Sequence, residues 1–199
     1  MKDQIPLGIT DDQVALGSHL IHFWQNDEEF ERGVRFLQLG IADESQYCVL
    51  IGRDEANHRV LEILRKTCGD LDRVLREGRL VIVRRENSVS AMSANIDVAF
   101  AAAVRKGATV IRCLGNLGVG EAPSWGAHEQ VELEKGAHAL ARRYPCVFVC
   151  MFDVNTMSGL LVLNAGFGTH SLVVCGHALR QNPYFAPDEN ALRARRAAQ

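Results

Sequence analysis

No stretch of this 199-residue chain approaches the roughly 20 consecutive apolar residues that a membrane-spanning helix requires. The opening "MKDQIPLGITDDQ" lacks the apolar centre of a secretory signal, so the expected location is the cytoplasm. An excess of either charge is also missing. Twenty-two basic against twenty-four acidic residues give a formal net charge of −2, with the basic residues scattered, which argues against a nucleic-acid face or a polybasic membrane patch. Only the tail "LRARRAA" is locally basic. The six cysteines contain no Cys-x-x-Cys pair, and most sit inside apolar segments such as "QYCVLI" and "CVFVCMF". They read as small core residues in a reducing compartment, with neither disulfides nor a cysteine-built zinc site expected. Cys146 and Cys150 lie four apart in a strand-like run, about 13 Å from one another, too far to share an ion.

Signatures of nucleotide and acyl-transfer chemistry are lacking as well. A Walker A loop needs a second glycine and a lysine before its hydroxyl residue, and "GRDEANHRV" has neither. "GNLGVG" places glycines at 115, 118 and 120, which is no dinucleotide fingerprint, and no Gly-x-Ser-x-Gly elbow occurs. No catalytic residue is assigned, and the chain is not read as an enzyme.

What the sequence does hold is an ordinary globular composition, 47% hydrophobic and 23% charged, in a length suited to one domain. Short β-branched runs alternate with helical stretches. Strands are predicted at "HLIHFW" (19–24), "YCVLIG" (47–52), "RLVIV" (79–83), "ATVIRCLG" (108–115), "CVFVCMFD" (146–153) and "SLVVCG" (171–176). Helices are predicted between them, the first capped by Asn26 or Asp27 with acidic residues in its first turn. Another is predicted near "TMSGLLVLNAG", followed after the last strand by an irregular "QNPYFAPDENALRA". Strand–helix–strand repetition predicts an α/β fold, a doubly wound and mostly parallel sheet with helices on both faces.

In such sheets ligands bind outside the carboxyl ends of the strands. That places "GRDEANH", "GNLGVGEAPSWG" and "DVNTMSG" at the candidate edge, with Glu121, Trp125 and Asp153 as its first polar and aromatic residues. Asp153 reads equally well as a turn or helix-cap residue. His19 and His22, three apart on one strand, point to opposite faces and cannot hold one metal between them. The plain reading is one core and one surface histidine. The functional one makes His22 a hydrogen-bonding or titrating group in a pocket walled by Trp24.

In order along the chain, "GSHLIHFWQNDEEFERGVRFLQLGIADESQYCVLI", "CGDLDRVLREGRLVIV", "GVGEAPSW", "ARRYPCVFVCMFD" and "SLVVCGHALRQNPYFAPDENAL" together resemble the MEDS family of sensory domains. That family is named for methanogens, methylotrophs and the DcmR regulator. Trp24 stands where the family carries tyrosine, and Glu121 and Trp125 are one residue further apart than its pattern. The resemblance implies a RecA-like sheet without a phosphate-binding loop, and sensing of small hydrocarbon derivatives. It sets the domain at residues 17–193, between an N-terminal extension (1–16) and a short basic tail (194–199).

The implied function is a stand-alone sensory domain that binds a small organic ligand and regulates a separate partner, a histidine kinase or transcription regulator. The expected pocket residues are His22, Trp24, Glu121, Trp125 and Asp153, with no metal ligand among them, no cofactor specified and a homo-oligomer admitted. Two other classes stay open. One is a protein-interaction domain with a vestigial pocket. The other is a small metal-assisted enzyme using His19, His22 and Glu121.

Overall fold

A computed structural model describes residues 3–116 and 126–185. The chain opens with a two-stranded antiparallel hairpin, β1 (Gln4–Pro6) and β2 (Gln13–Ala15), before entering the main sheet at β3 (His19–Trp24). Only Gln25 and Asn26 separate β3 from α1 (Asp27–Ala42), so no phosphate-cradling loop fits at that turn. Asn26 caps α1, its side-chain oxygen accepting from the Glu29 N–H at 3.0 Å, and Asp27, Glu28 and Glu29 supply favourable negative charge to the first turn.

There follow β4 (Gln46–Gly52), α2 (Asp54–Thr67), α3 (Leu71–Arg76), β5 (Leu80–Arg84), α4 (Val89–Arg105), β6 (Val110–Asn116), α5 (Ala127–Arg143) and β7 (Cys146–Asp153). A short helical turn, α6 (Gly159–Leu161), runs directly into a π-helix (Val162–Phe167), and the described chain finishes with β8 (Leu172–Cys175) and β9 (Ala178–Gln181). The seven main strands lie in the order β5-β4-β6-β7-β3-β8-β9, every pair parallel except β8 with β9. This is the doubly wound α/β sheet that the alternating pattern predicts.

Strand alternation sorts the core into two layers. Leu20, Trp24, Leu50, Leu114, Val149 and Met151 face α1, α2, α3 and the hairpin. Ile21, Phe23, Val49, Cys113, Phe148 and Cys150 face α4, α5 and the π-helix. β3 and β7 are buried at every residue, as befits central strands covered on both faces. The layer formed by the hairpin and α1 is pinned by Arg112, which is 1% exposed. Its guanidinium donates to Gln46 Oε1 at 2.7 Å, to the Pro6 carbonyl at 3.0 Å and to the Phe36 carbonyl at 3.3 Å, tying the hairpin and α1 to the sheet. Four of the six cysteines are buried, as their apolar surroundings indicate, whereas Cys68 is partly buried and Cys175 exposed; all six are free.

Candidate functional site

At the carboxyl ends of β3 and β7, Trp24 is the register partner of Asp153, and His22 that of Met151. His22 is fully buried. Its Nε2–H donates to the Glu29 carbonyl at 2.8 Å, joining β3 to the first turn of α1. Burial pushes its pKa down, and the Glu29 carbonyl partly opposes that shift. Trp24 packs edge-on against Phe30, ring centroids 4.9 Å apart, beneath the Arg59 guanidinium. Asp153 Oδ1 accepts from the Asn155 N–H at 2.9 Å, the turn-capping use of an aspartate that follows a strand. Asn155 Nδ2 in turn donates to the Gln25 carbonyl at 2.8 Å. The structure thus brings His22, Trp24 and Asp153 to neighbouring strand ends, where all three are enclosed. Glu121 and Trp125 lie outside the described residues.

The adjacent edge is more open. Helices leave β4 and β6 on opposite faces, which makes their carboxyl ends a topological switch point. Gly52 ends β4 there because a Cβ would stand 2.7 Å from both the Asn116 carbonyl oxygen and Asn57 Oδ1. Asn57 Nδ2 donates to the Gly52 carbonyl at 3.1 Å and Asn116 Nδ2 to that of Ala56 at 3.2 Å, binding β4, α2 and β6 together. Just outside lies a shallow cavity of about 270 Å³ lined by Arg53, Asp54, Glu55, Arg84 and Arg85. Arg84 and Asp54 approach within 3.5 Å across it. Arg53, Asp54 and Glu55 come from the "GRDEANH" edge and Arg84 and Arg85 from the end of β5; charged residues at such strand ends are ordinarily just solvated, so the sequence alone does not mark them.

On the opposite face, inside the core, four further groups meet. His19 opens β3, Glu134 sits mid-α5, Cys150 mid-β7, and His170 follows the π-helix. None exceeds 2% exposure. His19 Nε2 stands 3.3 Å from Cys150 Sγ and 3.5 Å from Glu134 Oε2, the thiol donates to that same oxygen at 3.1 Å, and His170 Nε2 is 3.5 Å from it. All four donor atoms lie within 4.8 Å of one another. Gln130 Nε2 holds the other carboxylate oxygen at 3.0 Å.

Burial pushes both imidazoles to about 3. His138 pushes His19 further down; His19 does the same to His170, which Glu134 partly offsets. Burial also raises the Cys150 thiol, with Glu134 adding to it. His19 and His22 therefore do face opposite layers, but neither is a surface residue. Nothing in sequence spacing joins positions 19, 134, 150 and 170, so this cluster stays hidden until the sheet assembles.

The family model described as "MEDS: MEthanogen/methylotroph, DcmR Sensory domain" matches residues 18–171, which run from the start of β3 to the threshold of β8. The chain is also similar to the "Transcriptional repressor DcmR" of Methylorubrum extorquens (strain DSM 6343 / CIP 106787 / DM4), at 23% identity over 119 residues. That similarity covers 59% of this chain and 45% of the repressor, so the match spans less than half of that relative's length.

Proposed function

The chain belongs to the MEDS family, and on that premise we propose that it is a sensory domain that binds a small organic ligand at the carboxyl edge of its sheet and regulates a protein partner. The single observation that carries this reading is the sensory-domain match over residues 18–171, which spans the sheet from β3 through β7 and includes the switch point between β4 and β6. This match and the repressor relative together support a sensory and regulatory role.

The cavity at residues 53–55 and 84–85 supports the ligand reading. Its volume of about 270 Å³ lies just below the usual range of small-molecule sites. Arginine forks beside carboxylates favour oxygenated or acidic groups on a short hydrocarbon frame, because guanidinium binds such oxygens in pairs. A signal passes to a transcription regulator or histidine kinase when the ligand prefers one of two conformations and shifts their population.

Thermal melting against a panel of short alcohols, aldehydes, carboxylic acids, amines and halogenated alkanes tests the reading. At ten times its dissociation constant a true ligand stabilises the fold by about 1.4 kcal/mol, or roughly 3–5 °C in a domain of this size. Arg84→Ala, at an exposed strand end, is expected to abolish that shift while leaving the unliganded melting temperature unchanged. A panel without any saturable shift counts against the ligand reading.

A further inference from the structure

We propose that His19, Glu134, Cys150 and His170 form a binding site for one divalent transition-metal ion of the zinc type, set in the core between β3, β7, α5 and the π-helix. This inference stands apart from the ligand reading, since the cluster lies on the sheet face opposite His22 and Trp24 and away from the arginine-lined cavity.

Geometry carries it first. Zinc binds imidazole nitrogen and carboxylate oxygen at about 2.0–2.2 Å and thiolate sulfur at about 2.3 Å, so the edges of its coordination tetrahedron measure roughly 3.3–3.6 Å. Four of the six donor separations, 3.3, 3.5, 3.1 and 3.5 Å, are close to those edges, and all six fall within 4.8 Å. Four side chains from four separate elements therefore converge at the spacing that one ion would bridge.

The outer contacts point the same way. His170 Nδ1 lies 2.8 Å from the Gly166 carbonyl and 3.1 Å from that of Ala165, and a carbonyl can only accept, so Nδ1 carries the proton. The lone pair of Nε2 is then aimed into the cluster, where Nε2 has no hydrogen-bond partner among the described residues. Histidine ligands are characteristically oriented by such an N–H to carbonyl contact on the opposite ring nitrogen. Both carbonyls come from the π-helix, a local widening of the helix that occurs often at functional sites. Gln130 orients the Glu134 carboxylate in the same supporting role.

Charge and chemistry complete the case. One carboxylate and one thiolate supply two negative charges, which a divalent cation neutralises within a site that water does not reach. Two nitrogens, one sulfur and one oxygen suit a borderline ion such as zinc better than calcium or magnesium, which take oxygen ligands. A hydrogen-bonded network of the same four groups with Glu134 ionised, the metal-free alternative, leaves the His170 lone pair facing a carboxylate oxygen with no donor among the described residues.

Full-length chain stripped with a chelator and titrated with Co²⁺ alone tests the site. The expected result is one equivalent bound, with the intense visible bands of tetrahedral cobalt and a thiolate-to-cobalt charge-transfer band, both erased by one equivalent of Zn²⁺. Cys150→Ala is expected to remove the charge-transfer band and Gln130→Ala to weaken binding about 10–100-fold with the band retained. Glu134→Gln keeps the side-chain shape and provides a second ligand variant if Cys150→Ala does not fold. Each variant is first shown by circular dichroism to keep its secondary structure. A folded wild-type chain without tetrahedral cobalt bands, or bands that persist unchanged in Cys150→Ala or Glu134→Gln, overturns the proposal.

Discussion

His19, His22 and His170 are imidazoles enclosed so fully that each is held neutral, with burial as the leading cause in every case. A histidine whose folded pKa lies below its unfolded value of about 6.5 takes up protons on unfolding, so stability is fully present above that value and declines as the pH falls toward the folded pKa. For His19 and His170, depressed to about 3, the window runs from pH 6.5 down to about 3. Each neutral histidine contributes a slope of about 1.4 kcal/mol per pH unit within its window. Urea midpoints of the chelator-treated chain are accordingly expected to drop steeply between pH 7.5 and pH 5. A flat profile would show that these imidazoles are not held neutral in the fold. At this scale the sequence was legible in part. Alternation along "HLIHFW" places His19 and His22 on opposite faces, as found. It could not show that both are buried: His19 is covered by α5 and the segment after the π-helix, both distant in sequence, and His22 by the first turn of α1, which follows β3 closely but whose packing the alternation of the strand does not reveal.

Among the elements, α1 shows how helix chemistry yields to packing. Gly40 sits in its last turn with no room for a methyl group, since a Cβ would meet Cys48 Sγ at 2.7 Å and Arg112 Cδ at 2.8 Å. In an exposed helix, glycine to alanine gains about 1 kcal/mol. Here Gly40→Ala is expected to lose roughly 1–3 kcal/mol through overpacking against a short thiol and a guanidinium fixed by three hydrogen bonds. Equilibrium denaturation of the variant measures this, and a stabilised protein would contradict the tight helix–sheet contact. The six predicted strands and the helices between them all form, because short, nearly continuous apolar runs suit strands covered on both faces while the longer segments repeat their apolar residues every three to four positions. The hairpin β1–β2 and the closing strand β9 escape such a reading, being three, three and four residues long, too short to establish a period. The π-helix was legible only as a helix near "TMSGLLVLNAG", since one widened turn barely alters the apolar pattern.

For the whole molecule, the sheet order β5-β4-β6-β7-β3-β8-β9 explains why the two proposed sites lie in separate places. The chain's departures to opposite faces open the carboxyl edge between β4 and β6, where the ligand is proposed. The burial of β3 and β7 at the centre encloses the four-donor cluster. The first location follows from a general rule of α/β topology and could be anticipated, although the arginines beside it could not be told from solvated loop residues. The second depends on packing across four elements.

Amide-resolved nuclear magnetic resonance of the isotope-labelled full chain, titrated to millimolar concentration with the hydrocarbon-derivative panel, tests the central claim most directly. It detects weak binding and locates it in one experiment. The account predicts saturable shifts from at least one compound, centred on residues 52–57 and 84–85 with Asn116. Shifts that saturate only elsewhere, or a panel in which none saturates, would contradict a small-molecule sensor at this edge of the sheet.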